Sequence, residues 1–176
     1  MGKMTRRGPG GASIPARAPL AQKLVANVGA LAGVEGQVGW FETAKYPDGT
    51  PVAYVAAIHE FGHAAGGIPP RPFFRPTIAA QTGEWSRQFG RAATAVANGK
   101  IEPGPAMTQL AALAAGDVAK TISTLTAPAL KEATVNARRR RLSSSPKNSV
   151  SVTLAKPLID TGITLGTLTY KVEIKP

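Results

Sequence analysis

The chain of 176 residues has no cysteine, so it carries no disulfide framework and no thiolate metal site. It is poor in acid: ten Asp and Glu face twenty-one Lys and Arg, a net charge of +11. Aromatic residues make up only 6%. No apolar run approaches the roughly 20 residues a membrane helix needs, which argues against a membrane partner. The basic N-terminus has no apolar stretch of the signal-peptide kind, so synthesis in a cytoplasm is expected.

What is present is 43% apolar residues, enough for one modest, alanine-rich core. Nineteen glycines and fifteen prolines predict many turns. Lys3, Arg6, Arg7, Arg17 and Lys23 all precede the first acid, Glu35, and a second basic block spans Arg138, Arg139, Arg140 and Arg141. Such blocks attract polyanions, nucleic acid first; the plainer reading is a solvated tail and a helix end whose dipole suits arginine. The run lacks interleaved aromatics, so any nucleic-acid contact would go to phosphates.

Residues 1–18 read as a flexible basic arm and 19–176 as one α+β domain, three or four helices packed on a small, mostly antiparallel sheet. Leu20, Leu24, Val25, Val28 and Leu31 fall at helical spacing, and Val34, Val38 and Trp40 alternate as a strand. Tyr46-Pro47-Asp48-Gly49 is a turn, and Thr50-Pro51 a helix start with Thr50 as N-cap. That helix runs on to Gly66-Gly67 and places His59 and His63 one turn apart on one side. Four prolines keep Ile68 to Pro76 extended, presenting Arg71, Phe73, Phe74 and Arg75. Ile78, Trp85, Phe89 and Val96 mark a helix over 77–97, and Met107, Leu110, Ala114, Val118, Ile122 and Leu125 another. Pro128 opens a further short helix, and 150–154 and 168–174 alternate as strands.

Two motifs suggest chemistry. His59-Glu60-x-x-His63 has the spacing of zinc hydrolases: two imidazoles on one Zn²⁺, with the glutamate polarising water. A third ligand is missing: position 69 is Pro69, and Glu84 is the one reasonable substitute. Asp160-Thr161-Gly162 is the triplet of aspartic proteases, but only fourteen residues follow it, too few to build a cleft, and a turn or helix cap explains it better.

Four segments, in order, carry a resemblance: Ile58-His59-Glu60-Phe61-Gly62; Ile68-Pro69-Pro70-Arg71-Pro72-Phe73-Phe74-Arg75-Pro76-Thr77; Lys156-Pro157-Leu158-Ile159-Asp160-Thr161-Gly162; and Leu168-Thr169-Tyr170-Lys171-Val172. Over residues 34–174 the chain resembles the tail-completion, or neck, proteins of long-tailed bacteriophages. The pairing of the second and third segments at this separation is the specific part. The family lacks the second histidine and usually carries leucine where Thr164 stands and serine where Thr167 stands.

The resemblance implies a non-enzymatic virion protein without a cofactor. It would be made in the host cytoplasm and assembled into the neck as a homo-oligomeric ring around the DNA channel, six subunits being one candidate size. Its neighbours would be connector or portal-side proteins and tail-terminator or tail-tube proteins, with non-specific contact to genomic DNA. Ile68, Arg71, Phe73, Phe74 and Arg75 would form the subunit or partner interface. Arg138, Arg139, Arg140 and Arg141 would face DNA or an acidic neighbour. The alternatives are a zinc hydrolase using His59, Glu60, His63 and Glu84, and a basic nucleic-acid-binding accessory protein.

Overall fold

A computed structural model describes residues 18–143, 156–158 and 162–175. The expected arm lies outside these residues except for Ala18, and so do the expected strand 150–154 and Asp160-Thr161. The architecture is α+β. Helices α1 (Ala18–Ala32), α2 (Val52–Phe61), α3 (Phe74–Ala97), α4 (Pro103–Thr124), α5 (Glu132–Ser143) and α6 (Ile163–Gly166) accompany strands β1 (Val34–Gly39) and β2 (Thr169–Ile174). The described residues hold six helices where three or four were expected, one of them, α6, a single turn that sequence periodicity cannot register. Among the described residues no helix is long and apolar enough to cross a membrane.

The two strands pair antiparallel, Val34 opposite Ile174 and Gly39 opposite Thr169. Residues 34, 36 and 38 share one face because side chains alternate along a strand. That face lies on α4: a Cβ added to Gly36 would stand 3.1 Å from the Met107 side chain and 3.4 Å from Ala111. Glycine at 36 thus lets helix and sheet approach closely. The other face carries Glu35, Gln37, Lys171 and Glu173, where Lys171 pairs with Glu173 and Gln37 donates to Glu35.

Helices α3 and α4 run antiparallel. Thr77 hydrogen-bonds Thr121 at 2.6 Å, and the Trp85 indole donates to Asp117 at 2.8 Å, so rising numbers on one helix meet falling numbers on the other. Pro103 and Pro105 sit inside the first turn of α4, where the missing N–H groups would lack partners anyway. Two apolar clusters result. One joins Ala56, Phe73, Val118, Ile122 and Leu158; the other joins Leu31, Val96 and Ala106 at the far end of the α3–α4 pair.

Several expected apolar stripes are rotated. Among the described side chains of α1 only Leu31 is buried, while Val25 and Val28 face outward; on α3, Ile78 and Phe89 are exposed and Thr77 is inside. Thr77 tolerates burial because its hydroxyl donates to the Phe73 carbonyl one turn back and also meets Thr121.

Candidate functional site

The turn Tyr46 to Gly49 forms as expected, with the Gly49 N–H on the Tyr46 carbonyl and Asp48 accepting from the Thr50 N–H. Helix α2 opens one residue later than expected: Pro51 is the N-cap and Val52 the first helical residue. Its inward residues are Val52, Ala56 and Glu60, spaced four apart and all under 5% exposed. A carboxylate therefore completes an otherwise apolar stripe.

Gly62 ends α2, about one turn short of the expected stop at Gly66-Gly67, with φ 78 and ψ 174. This backbone region belongs almost wholly to glycine. The chain then doubles back. His63 and Ile68 exchange both backbone hydrogen bonds, and Pro69 to Pro72 return along α2, the Arg71 N–H donating to the His59 carbonyl at 2.6 Å. A Cβ on Gly62 would stand 2.9 Å from the Pro70 nitrogen and 3.0 Å from the Ile68 carbonyl oxygen. Gly62→Ala is thus expected to destabilise the fold by about 1–3 kcal/mol or more, through backbone strain together with this clash. Urea unfolding checks it; an unchanged midpoint would contradict the tight return.

The reversal delivers the backbone of Phe73 to Arg75 to Glu60. One oxygen of the Glu60 carboxylate accepts the N–H of Phe73 at 2.7 Å and of Phe74 at 3.0 Å; the other accepts the N–H of Arg75 at 3.2 Å and its Nε at 2.9 Å. The Arg75 guanidinium also donates to the Glu60 carbonyl at 2.8 Å and lies 5.1 Å from the Phe61 ring centroid. The first N–H groups of a helix have no partner within it, and α3 finds no cap in its own chain neighbourhood. A glutamate from another helix caps it instead, with its charge at the positive end of the dipole. Burial pushes the Glu60 carboxyl up, but these hydrogen bonds outweigh burial and hold its pKa below the ordinary range. Helix α3 consequently starts at Phe74, three residues before the expected start, with Pro76 tolerated in its first turn.

This geometry corrects the zinc reading of the helix. His63 lies beyond the end of α2, and its Nδ1 accepts the Gly66 N–H at 2.9 Å. Glu60 turns toward α3 rather than toward the imidazoles. Glu84 pairs with Arg87 and accepts from Gln88 on its own helix. Among the described residues no three His, Asp or Glu side chains converge to hold a metal.

The expected interface residues divide. Phe73 is 0% exposed and Arg71 4%, so neither is presented to a partner, which corrects the expectation for both. Phe73 fills the centre of the first core cluster, and Phe74 packs beside it; the Trp40 indole meets both rings edge-on at 5.8 Å. The Trp40 indole donates to the Thr164 carbonyl at 2.7 Å, and the Thr164 hydroxyl meets the Tyr46 hydroxyl at 2.7 Å. A leucine at 164 could not make that second bond. Arg71 donates to the carbonyls of Pro128 at 2.9 Å and Ala129 at 3.1 Å, fastening the α4–α5 connection. That connection delays α5 to Glu132, four residues past the expected start at Pro128. Arg75 stays accessible, and Ile68 is half-buried.

The arginine run divides likewise. Arg138 is 7% exposed and donates to the carbonyls of Lys156 at 2.8 Å and Pro157 at 3.3 Å, so it holds the Lys156 to Leu158 segment in place rather than facing DNA. Lys156 in turn donates to the Ser123 carbonyl at 2.8 Å, and Leu158 enters the core beside Phe73. Arg139, Arg140 and Arg141 are exposed.

His59 lies between these groups. Burial first, then the charges of Arg71 and Arg138, lower its pKa, so the imidazole is neutral at pH 7. Its Nδ1 is buried without a hydrogen-bond partner among the described residues. The roles of Glu60, Arg71 and Arg138 escaped sequence reasoning. One signal was available for Glu60: a lone acid in register with Val52 and Ala56 on the buried side of a helix. Set against protein-family models, curated proteins and solved structures, the chain matches none.

Proposed function

We propose that the chain is a structural assembly protein of a phage neck, a subunit that joins head to tail by forming a ring around the DNA channel and bearing on the rings above and below. The observation that carries this reading is that three of the segments behind the resemblance form one interlocked scaffold. Glu60 of the first caps the helix opened by Phe73, Phe74 and Arg75 of the second, and Leu158 of the third packs in the core with Phe73. The conspicuous polar residues of these segments hold backbone in place. That is the work expected of a frame in an assembly part, and it leaves Glu60 and His63 engaged elsewhere than in a shared proton-transfer site.

On this reading the contact residues are those of the expected set that stay accessible: Arg75 for neighbouring protein, and Arg139, Arg140 and Arg141 for DNA phosphates or an acidic ring. Contact through phosphates carries no sequence preference and weakens steeply with salt. The location would be the virion. Deleting the gene from the genome that encodes it is expected to yield filled heads and separate tails, seen by electron microscopy of the lysate. Normal virions in the deletion lysate would overturn the reading.

A further inference from the structure

Among the described residues the sheet has two strands, so β2 pairs with β1 on one side and with no strand on the other. A two-stranded sheet is marginal by itself, and an open edge is a template for a further strand. The register says which backbone groups that edge offers. Just beyond the pair, the Lys175 N–H donates to the Gly33 carbonyl at 2.7 Å. Hydrogen-bonded pairs alternate along an antiparallel ladder. Residues 169, 171 and 173 therefore turn their N–H and C=O groups to β1, and Tyr170, Val172 and Ile174 turn theirs to the outer edge.

The side chains of the same three residues share the sheet face that lies on α4. The helix does not cover them all: Ile174 is 74% exposed and Tyr170 38%, while Val172 is half-buried. The opposite face of β2 carries Lys171 and Glu173, which pair with each other along the strand and stay accessible. Sheet edges are commonly guarded by lysine, whose charge repels a second copy. Here the two signs stand side by side, and that changes what a second copy meets.

We propose that the outer edge of β2 binds the β2 edge of a second copy of this chain, antiparallel and centred on Val172, joining the two sheets into one. In this register Val172 faces itself, Tyr170 faces the second copy's Ile174, and Lys171 faces the second copy's Glu173. The apolar pairs cover what α4 leaves in water, an aromatic ring against a β-branched side chain. The charges alternate around the two-fold axis. Centring the pair one residue earlier sets Lys171 against Lys171, and one residue later Glu173 against Glu173, so both neighbouring registers are repulsive. A two-fold contact closes on itself, so a ring of subunits would need a second surface besides it. The pairing stands on β2 and does not depend on the neck reading.

The test is sedimentation equilibrium of the full chain in physiological salt, from about 1 to about 200 μM, since one strand pair is a small interface. A reversible monomer–dimer equilibrium with a Kd of about 1–100 μM is expected. Lys171→Glu and Glu173→Lys each place like charges opposite one another on both sides of the axis and should weaken the dimer about tenfold or more. Both side chains are accessible, so both variants keep the fold, which thermal unfolding verifies. An equimolar mixture of the two variants restores opposite charges across the axis and should dimerise again, and the double variant Lys171→Glu/Glu173→Lys should dimerise as the parent does. Three results would each overturn the proposal: a monomer throughout the range, as when the edge is occupied by a strand of its own chain such as 150–154; a dimer that neither single reversal weakens, which places the contact elsewhere; or a mixture of the two variants no more dimeric than each alone, which rejects the register.

Discussion

Replacing Glu60 with alanine is expected to destabilise the protein by about 2–4 kcal/mol, far more than a typical surface carboxylate. The change removes the acceptor for three backbone N–H groups at the start of α3, one of them the N–H of the wholly buried Phe73. It also releases the Arg75 guanidinium from its anchor. Glu60→Gln separates shape from charge. The amide keeps one acceptor oxygen but loses the charge at the helix end and turns an NH₂ group toward a donor, for an expected cost of about 1–2 kcal/mol. The same carboxylate gives a pH signature. Its folded pKa is depressed, so its stabilisation is fully present above the unfolded carboxylate range, near about 4.3, and is lost as pH falls through the lower folded value. Urea unfolding of wild type and Glu60→Gln from about pH 7 to about pH 3 should therefore converge at the acid end. A constant gap across that range would remove the ionised cap from the account.

The capping of α3 also shows what sequence reading could reach. Elements set by local pattern were legible: β1 and β2 by alternation, α4 by its apolar repeat, the 46–49 turn by Pro and Gly. The α+β class followed from these. The site was legible as a stretch and misread in its parts, and each misreading has a physical source. The partners of Glu60 lie thirteen to fifteen residues away, those of Arg71 fifty-seven and fifty-eight, and those of Arg138 eighteen and nineteen. No local window contains such pairs. Charged residues were assigned to the surface because ionised groups are seldom buried unless held; here carbonyl oxygens and backbone N–H groups hold them. The two histidines looked like a helical pair because their spacing fits a continuous helix, yet Gly62 adopts a backbone that breaks it between them. The prolines at 69, 70 and 72 were read correctly as extended, and the outward presentation inferred for Arg71 and Phe73 was not, because an extended segment can lie against its own domain as readily as against a partner.

Phe73→Ala decides between those two destinations. As folded, Phe73 is 0% exposed and touches Trp40 and Phe74 within the cluster that includes Val118, Ile122 and Leu158. Truncation there removes a ring from a packed centre and leaves a cavity, for an expected loss of about 3–5 kcal/mol. Against a total stability of roughly 5–15 kcal/mol for a domain, that is enough to populate unfolded protein at ordinary temperature. Phe74→Ala, at a half-buried position on the edge of the same cluster, should lose less. Phe73→Leu keeps most of the volume and should recover much of the difference. Denaturant unfolding followed by circular dichroism ranks the three. If Phe73→Ala instead unfolds at the wild-type midpoint, its ring contributes nothing to the domain, and the side chain returns to the partner surface that the sequence pattern suggested. If the expected ranking holds, an assembly defect in this variant reports loss of the fold, and contacts with neighbouring subunits are to be sought among the accessible side chains, Arg75 first.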